Sequence, residues 1–419
     1  MIKLTYLIIP FFLLNITPSL SLAYNVQKIN KYHVHTSQKV ADELGMSNIS
    51  VGSSLKLFSK SNNKLIFYGI TDRGPNATFK ENNQHYLLSA KPNFIPSILK
   101  IELNLHKQQA SIVDYIKLSY KDKYITGLPN IKGYNSPNQI IETPIDVNNK
   151  KINFKGVLGL DTEGLALDHK GNFYVVDEYF PSLNYVNNKG EILKTYTINK
   201  GLPEIIKWRM ANRGFEGVAV APNGKIYITL EGILDIEKET IQLANFIRII
   251  EFDPFNNTSR MFAYPYDQDT YIKPSKVKIG DIDALNNKEF LIIEQGVKKD
   301  GTFRNAIYKI NIKDAVDIAD VKLSNMKDLE YGALLEVKKY FVKKDKVFEA
   351  RDHGWSHKKM EDLAIINPKT IALINDNDFG VAGHEVYHDN KNQKKFKLKL
   401  KDTNLKGTDL WIVKFKENL

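Results

Sequence analysis

The chain has 419 residues, 42% of them hydrophobic, which is enough to bury a large core. It contains no cysteine, which excludes disulfides, thiolate zinc sites and a cysteine nucleophile, and leaves oxygen and imidazole as donors for any metal. Its net charge of +11 gives a basic envelope that attracts anions, but the lysines are dispersed and their densest runs lack interleaved aromatics, so nucleic acid is not an expected partner.

The N-terminus sets Lys3 before an apolar stretch from Leu4 to Ile16 and a small-residue exit at Ser21-Leu22-Ala23. This is the layout of a secretory signal peptide, with cleavage expected after Ala23. Thirteen apolar residues interrupted by Pro10 are too few to span a hydrocarbon core of about 30 Å, which argues against an anchor. No later stretch reaches a spanning length, so residues 24–419 are expected to form one exported domain, periplasmic or secreted, soluble and monomeric.

His33 and His35 alternate on an expected strand and share a face, too few ligands to make a site. Ser53 to Leu57, a polar turn at Ser61 to Lys64, and Leu65 to Ile70 read as a hairpin ending at Asp72. Ile98 to Leu103 and Gln109 to Ile116 read as outer strands of that unit or as part of another. Four later segments share one plan of acid, small-apolar run, polar turn, β-type run and second acid. They begin at Glu163 (EGLALDHKGNFYVVDE), Glu216 (EGVAVAPNGKIYITLE), Asp281 (DIDALNNKEFLIIE) and Glu361 (EDLAIINPKTIALIND). The first acid lies fifteen residues before Glu178, Glu231 and Asp376, and thirteen before Glu294, whose turn reads as two residues shorter.

Each segment reads as a hairpin, and runs such as Ser182 to Asn187 with Ile192 to Ile198 supply a second one. Two insertions break the rhythm: Leu202 to Ala211, with the marks of a short helix, and Lys327 to His353. Leu410 to Phe415 reads as a closing strand. Four-stranded sheets recurring at roughly 50 to 75 residues predict an all-β propeller of about six blades with short helical insertions, five or seven being compatible. The alternative, a β-sandwich, gives no reason for acids to recur at matching points, whereas radial repetition gathers such points into a ring.

Carboxylates gathered at one end of a channel repel one another, and a hard cation, calcium first, would offset that. The competing explanation is that each acid caps a turn within its own blade. Asp376-Asn377-Asp378 offers several oxygens after a strand, which suits an ion or an Asx turn alike. Arg73 follows Asp72 and Arg213 precedes Glu216 by three residues, placing guanidinium groups beside the acids, where they suit anion binding or internal ion pairs. His353, His357 and Lys358 approach Glu361 in the same manner.

Taken together, TDRGPN at Asp72, DTEGLALDHKGNFYVVDEY at Glu163, LPEIIKWRMANRGFEGVAV at Glu216, IGDIDAL at Asp281 and NDNDFG at Asp376 resemble the esterase-like phytase family. The resemblance runs from about Val51 to the C-terminus and implies an exported propeller that hydrolyses phosphate or other ester bonds. The chain departs from the pattern at Asp281-Ile282-Asp283 and Glu361-Asp362, which replace Glu-Gly, and at Glu294-Gln295-Gly296, which lacks an arginine after the acid. The expected constellation is a metal ring of Asp72, Glu163, Glu231, Glu294, Glu361, Asp376 and Asp378, with Glu216, Arg213 and Arg73 catalytic, acting on a small anionic or ester substrate. A non-catalytic platform for a protein, glycan or small anion is the alternative, in which the acids are structural.

Overall fold

In a computed structural model, residues 24–46, 49–129, 136–153, 156–402 and 407–419 are described, and the expected signal peptide lies outside them. The β-branched and aromatic runs become strands where expected. A long first strand, β1 (Val26–Thr36), and a short helix, α1 (Gln38–Leu44), precede the first blade. That blade is β2 (Leu55–Lys60), β3 (Lys64–Ile70), β6 (Ser97–Asn104) and β7 (Gln109–Lys117), with a hairpin, β4 (Asn76–Glu81) and β5 (Gln84–Ser89), inserted after β3. Ile98 to Leu103 and Gln109 to Ile116 are thus the outer strands of this unit.

A two-residue ladder, β8 (Ser119–Tyr120) with β9 (Lys123–Tyr124), and a strand β10 (Glu142–Ile145) lead into the second blade. It comprises β11 (Thr162–Leu167), β12 (Phe173–Asp177), β13 (Ser182–Val186) and β14 (Ile192–Ile198), with β15 (Gly201–Leu202) on its edge. The third is β16 (Phe215–Val220), β17 (Ile226–Leu230), β18 (Ile247–Asp253) and β19 (Thr258–Tyr264), and the fourth is β20 (Val277–Ala284), β21 (Glu289–Val297), β22 (Phe303–Asn311) and β23 (Lys343–Glu349). The insertion at 327–353 therefore holds the outermost strand of blade four, and the short helix expected at 202–211 is a 3-10 turn, Glu204–Trp208. The fifth blade starts with β24 (Asp362–Asn367) and β25 (Thr370–Ile374), carries an inserted hairpin of β26 (Val381–His388) and β27 (Lys394–Leu400), and resumes at β28 (Asp409–Phe415).

Among the described residues the ring closes at five blades: β2, β11, β16, β20 and β24 are innermost, each packs on the next, and β24 returns to β2. The count of about six was one too high because Ile98–Leu103 and Gln109–Ile116 complete the first blade and start no further one, and Leu410–Phe415 falls in the last blade. It is the third strand of blade five, and β1 supplies the fourth from the other end of the chain, with His33 opposite Asp409 and Val26 opposite Phe415. The last residues of β1, Val34–Thr36, pair in parallel with β7, so one strand joins the first and last blades. Strands β12 and β17 are buried throughout because neighbouring blades cover both faces, which explains their unbroken apolar runs. No helix among the described residues is long and apolar enough to cross a membrane.

The register corrects the spacing of the third acid pair. In blades two and three, the residues just before the two acids register with one another ahead of the bulge: Thr162 with Asp177, and Phe215 with Leu230. In blade four Ile282 registers with Ile292 and, before the bulge, Ile279 with Glu294. The equivalent positions are therefore Gly280 and Gln295, fifteen apart like the others. The turn is not shorter. Asp281 lies one residue too late and Glu294 one too early, and a one-residue shift on a strand turns a side chain to the opposite face.

Candidate functional site

The acids at the ends of the inner and second strands meet at one end of the channel. Asp72 follows β3, Asp161 and Glu163 flank the start of β11, and one oxygen from each lies within 4.8 Å of the others. Glu178 leaves β12, Glu216 lies on β16 and Glu231 leaves β17; they form a second group by the same measure, all three buried. Close packing of inner strands makes this convergence feasible: a Cβ on Gly164 would stand 2.3 Å from the Glu216 carbonyl oxygen, so only glycine fits after Glu163.

Basic side chains offset part of this charge. The Arg73 guanidinium lies 3.2 Å from both Glu142 and Asp161. Arg213 reaches Glu231 at 3.2 Å and donates to the Val277 carbonyl, while Lys278 pairs with the other Glu231 oxygen. Burial would raise the Glu231 carboxyl, but Arg213 and Lys278 together hold it below its ordinary value. At Glu178 and Glu216 burial first, then Glu231 for both and further acids beyond it, push the carboxyls well above the usual range, and Lys278, joined by Arg73 at Glu178, offsets this only in part. Burial, followed by Asp72 and Glu216, does the same to Glu163, and burial with Asp161 lifts Asp72 to about 8.

The other half of the ring is built differently. Lys359 places its ammonium 2.6 Å from Asp376, 2.8 Å from Asp378 and 3.6 Å from Glu361. Asp378 also accepts from Lys401 at 2.6 Å, and Gln295 donates to Glu361 at 2.6 Å. Burial opposes it, yet the lysines hold Asp378 below its ordinary value, and Asp376 stands at about 6 through burial and Asp378. On this side a lysine stands where a cation would.

Glu294 does not join the ring. Turned to the opposite face of β21, it is fully buried between blades three and four, accepting from Tyr264 at 2.7 Å, Tyr271 at 3.0 Å and Lys344 at 2.8 Å. Asp281 lies deeper in the channel on Lys56, whose ammonium is 2.6 Å from its carboxylate and donates to the Ile282 and Leu363 carbonyls. Among the expected residues, the structure gathers Asp72, Glu163, Glu216 and Glu231 in the half whose charge is only partly offset, with Arg73 and Arg213 beside them. Glu361, Asp376 and Asp378 stand in the lysine-bridged half. Asp161, Glu178, Lys278 and Lys359 complete the site and were not singled out, although the fifteen-residue spacing already pointed to Glu178. His357 serves elsewhere, on Asp409 at 2.7 Å.

A hard divalent cation fits either carboxylate triad of this half, Asp72 with Asp161 and Glu163 or Glu178 with Glu216 and Glu231. Its donors are all carboxylate oxygens, and Glu216, 5% exposed, has one oxygen that no hydrogen-bond donor reaches. The fit is poorer at Glu361, Asp376 and Asp378, where the Lys359 and Lys401 ammonium groups already occupy the carboxylates. A cleft of about 320 Å³ opens over the site, with Asp72, Asp161, Glu163, Glu178, Lys359 and Asp378 in its floor and β26 on its rim. Such a site suits an ester or anion that bridges a cation and the flanking ammonium groups.

Comparison with known proteins agrees with the motifs. A family model described as "Phytase-like: Esterase-like activity of phytase" matches residues 58–379. No curated protein sequence matches the chain. Among solved structures, the catalytic domain of a GH62 α-L-arabinofuranosidase from Coprinopsis cinerea is 9% identical, with a TM-score of 0.33 over 92% of this chain and 98% of that one. A protein of unknown function from Dyadobacter fermentans is 9% identical, with a TM-score of 0.38 over 94% and 100%. An α-L-arabinanase from Cellvibrio cellulosa is 10% identical, with a TM-score of 0.32 over 78% and 91%. Likenesses this distant say nothing about substrate.

Proposed function

Because the chain belongs to the phytase-like family, we propose that it is a divalent-cation-dependent hydrolase of phosphate or other ester bonds, acting at the acidic end of its channel. The observation that carries this reading is the convergence, within 4.8 Å, of carboxylate oxygens contributed by different blades. Calcium is the first choice of cation; when bound, it would supply Lewis-acid polarisation of the ester and a lowered pKa for a bound water. Asp72, Asp161 and Glu163 would hold it, with Glu178 and Glu231 in the adjoining triad. Glu216, with one oxygen free, accepts the proton of the attacking water. Arg73 lines the cleft and faces developing negative charge, whereas Arg213, tied to Glu231 and the Val277 carbonyl, positions Glu231 and does not touch substrate.

The platform alternative requires each acid to be satisfied by backbone within its own blade. Asp72 and Asp376 do accept a backbone N–H, from Arg73 and from Asp378, but Glu163, Glu178, Glu216 and Glu231 accept none among the described residues. Calcium titration followed by thermal melting, with p-nitrophenyl phosphate and p-nitrophenyl acetate as substrates, tests the reading. Calcium should raise the melting temperature, since a ligand at 100 times its Kd stabilises the folded state by about 2.7 kcal/mol. At least one ester should turn over, and chelator should stop it. Absence of both the shift and the turnover sinks the proposal. The chain is also proposed to be exported, which the mature N-terminus checks: Edman or mass analysis should find Tyr24 first.

A further inference from the structure

The hairpin of β26 and β27 stands on the rim of the acidic cleft and has two unlike faces. Register sets His384 opposite Leu398 and Val386 opposite Phe396 on one face; on the other, Glu385 is opposite Lys397, Tyr387 opposite Lys395 and Gly383 opposite Lys399. The first face is seated on the neighbouring hairpin. Phe396 is buried with its ring centroid 5.2 Å from that of Phe79, its N–H donates to the Val147 carbonyl at 2.8 Å, and Lys394 reaches Glu81 at 2.5 Å. On the second face Glu385, Tyr387, Lys397 and Lys399 are exposed. Residues 381–401 hold six lysines against two acids. Lys394 and Lys401 are paired with Glu81 and Asp378, and Lys395 lies 3.7 Å from Asp389, whereas Lys391, Lys397 and Lys399 have no ion-pair partner among the described residues. Beside them Val386 and Tyr387 are 49% and 50% exposed.

We propose that this hairpin docks the protein on an anionic lipid surface, with Lys391, Lys397 and Lys399 on the headgroups and Tyr387 and Val386 at the boundary with the acyl chains. Free ammonium groups are drawn to negative headgroups, and exposed apolar side chains next to them gain by leaving water at that boundary. Lys397 and Lys399 follow one another on the outer face at about 6.6 Å along the strand, and Lys391 stands in the turn at the tip. A second copy of this chain would set lysine against lysine. A single-stranded nucleic acid would find one ring, Tyr387, on the outer face, where stacking needs a succession of them. Val381 to Gly383, at the root of the hairpin, line the acidic cleft, so docking holds its mouth at the lipid surface. The proposal stands whatever reaction that cleft carries out.

Sedimentation with vesicles at physiological salt tests it on the full chain. Partition onto vesicles of equal parts phosphatidylcholine and phosphatidylglycerol should be about tenfold or more tighter than onto phosphatidylcholine alone, and added salt should release the protein. Lys397→Gln combined with Lys399→Gln should lower the anionic-vesicle partition about 25-fold, since each lysine near such a surface contributes about a factor of five. Lys170→Gln combined with Lys189→Gln removes the same charge from exposed turns at the opposite end of blade two and should bind like the parent. Every substituted side chain is exposed, so the variants should melt like the parent, and comparison with the parent cancels any contribution of residues 1–23, which all of them share. Equal partition onto the two kinds of vesicle, a hairpin variant that binds like the parent, or an equal loss in the two double variants overturns the proposal. So does hairpin-dependent binding of a single-stranded oligonucleotide that anionic vesicles fail to compete away, which would assign the surface to nucleic acid.

Discussion

Glu216 has one oxygen that no hydrogen-bond donor reaches, at a point where two further carboxylates come within 4.8 Å. Replacing it with Gln keeps the shape and removes the proton acceptor, so Glu216→Gln should lower kcat by about 100-fold or more, as loss of a general base does. The same variant should weaken the calcium-induced rise in melting temperature. The titration behaviour of the site gives a second prediction. Asp72 at about 8 and Asp376 at about 6 are raised in the fold, so their stabilisation is complete below the unfolded value near 4 and is lost as pH rises through 6 and 8. Glu231 and Asp378 are lowered and act oppositely, losing their contribution as pH falls below about 4. Metal-free protein should therefore melt highest near pH 5 and progressively lower toward pH 8, and calcium should flatten the upper limb. Melting curves in chelator and in calcium across that range would check this; a metal-free optimum at pH 8 would contradict the charge balance described.

At the scale of single elements, β21 shows how a strand decides which acids belong to the site. Glu294 and Gln295 are neighbours, yet one is buried with Tyr264, Tyr271 and Lys344 and the other donates to Glu361. Glu294→Gln should therefore leave calcium affinity unchanged while costing about 1 to 3 kcal/mol of stability, since Lys344 and Arg304 lose a buried charged partner. A changed calcium response with unchanged stability would return Glu294 to the ring. The slip was invisible in the sequence because acid counting cannot see a one-residue offset: GDIDAL and EGLAL look alike as patterns, and only pairing fixes the face each side chain takes.

For the whole molecule, two devices close the ring. One is β1, which completes blade five and reaches blade one. The other is Lys56, 5% exposed, which crosses the channel from blade one to Asp281 and to carbonyls of blades four and five. Lys56→Met leaves Asp281 unpaired beside Asp283 and Asp362, so unfolding free energy should fall by about 3 to 5 kcal/mol. Chemical denaturation of the variant measures this; a loss below about 1 kcal/mol would show that the channel acids share protons well enough without the lysine.

The periodic alternation of apolar runs, turns and acids was sufficient by itself to indicate an all-β propeller and most of the acids at the channel end, because a repeated unit must place equivalent residues at equivalent points, whereas the family was legible in the combined motifs from TDRGPN to NDNDFG. Tertiary structure alone decided the rest. Closure at five blades rests on a strand borrowed across 376 residues, His33 to Asp409, a pairing that no local pattern encodes. Which acids remain unneutralised depends on lysines that arrive from other blades, Lys278 at Glu231 and Lys56 at Asp281, and from the loop entering blade five, Lys359 at Asp376. A carboxylate's chemistry is set by the charges within a few ångströms of it, and those neighbours are fixed only when the ring closes.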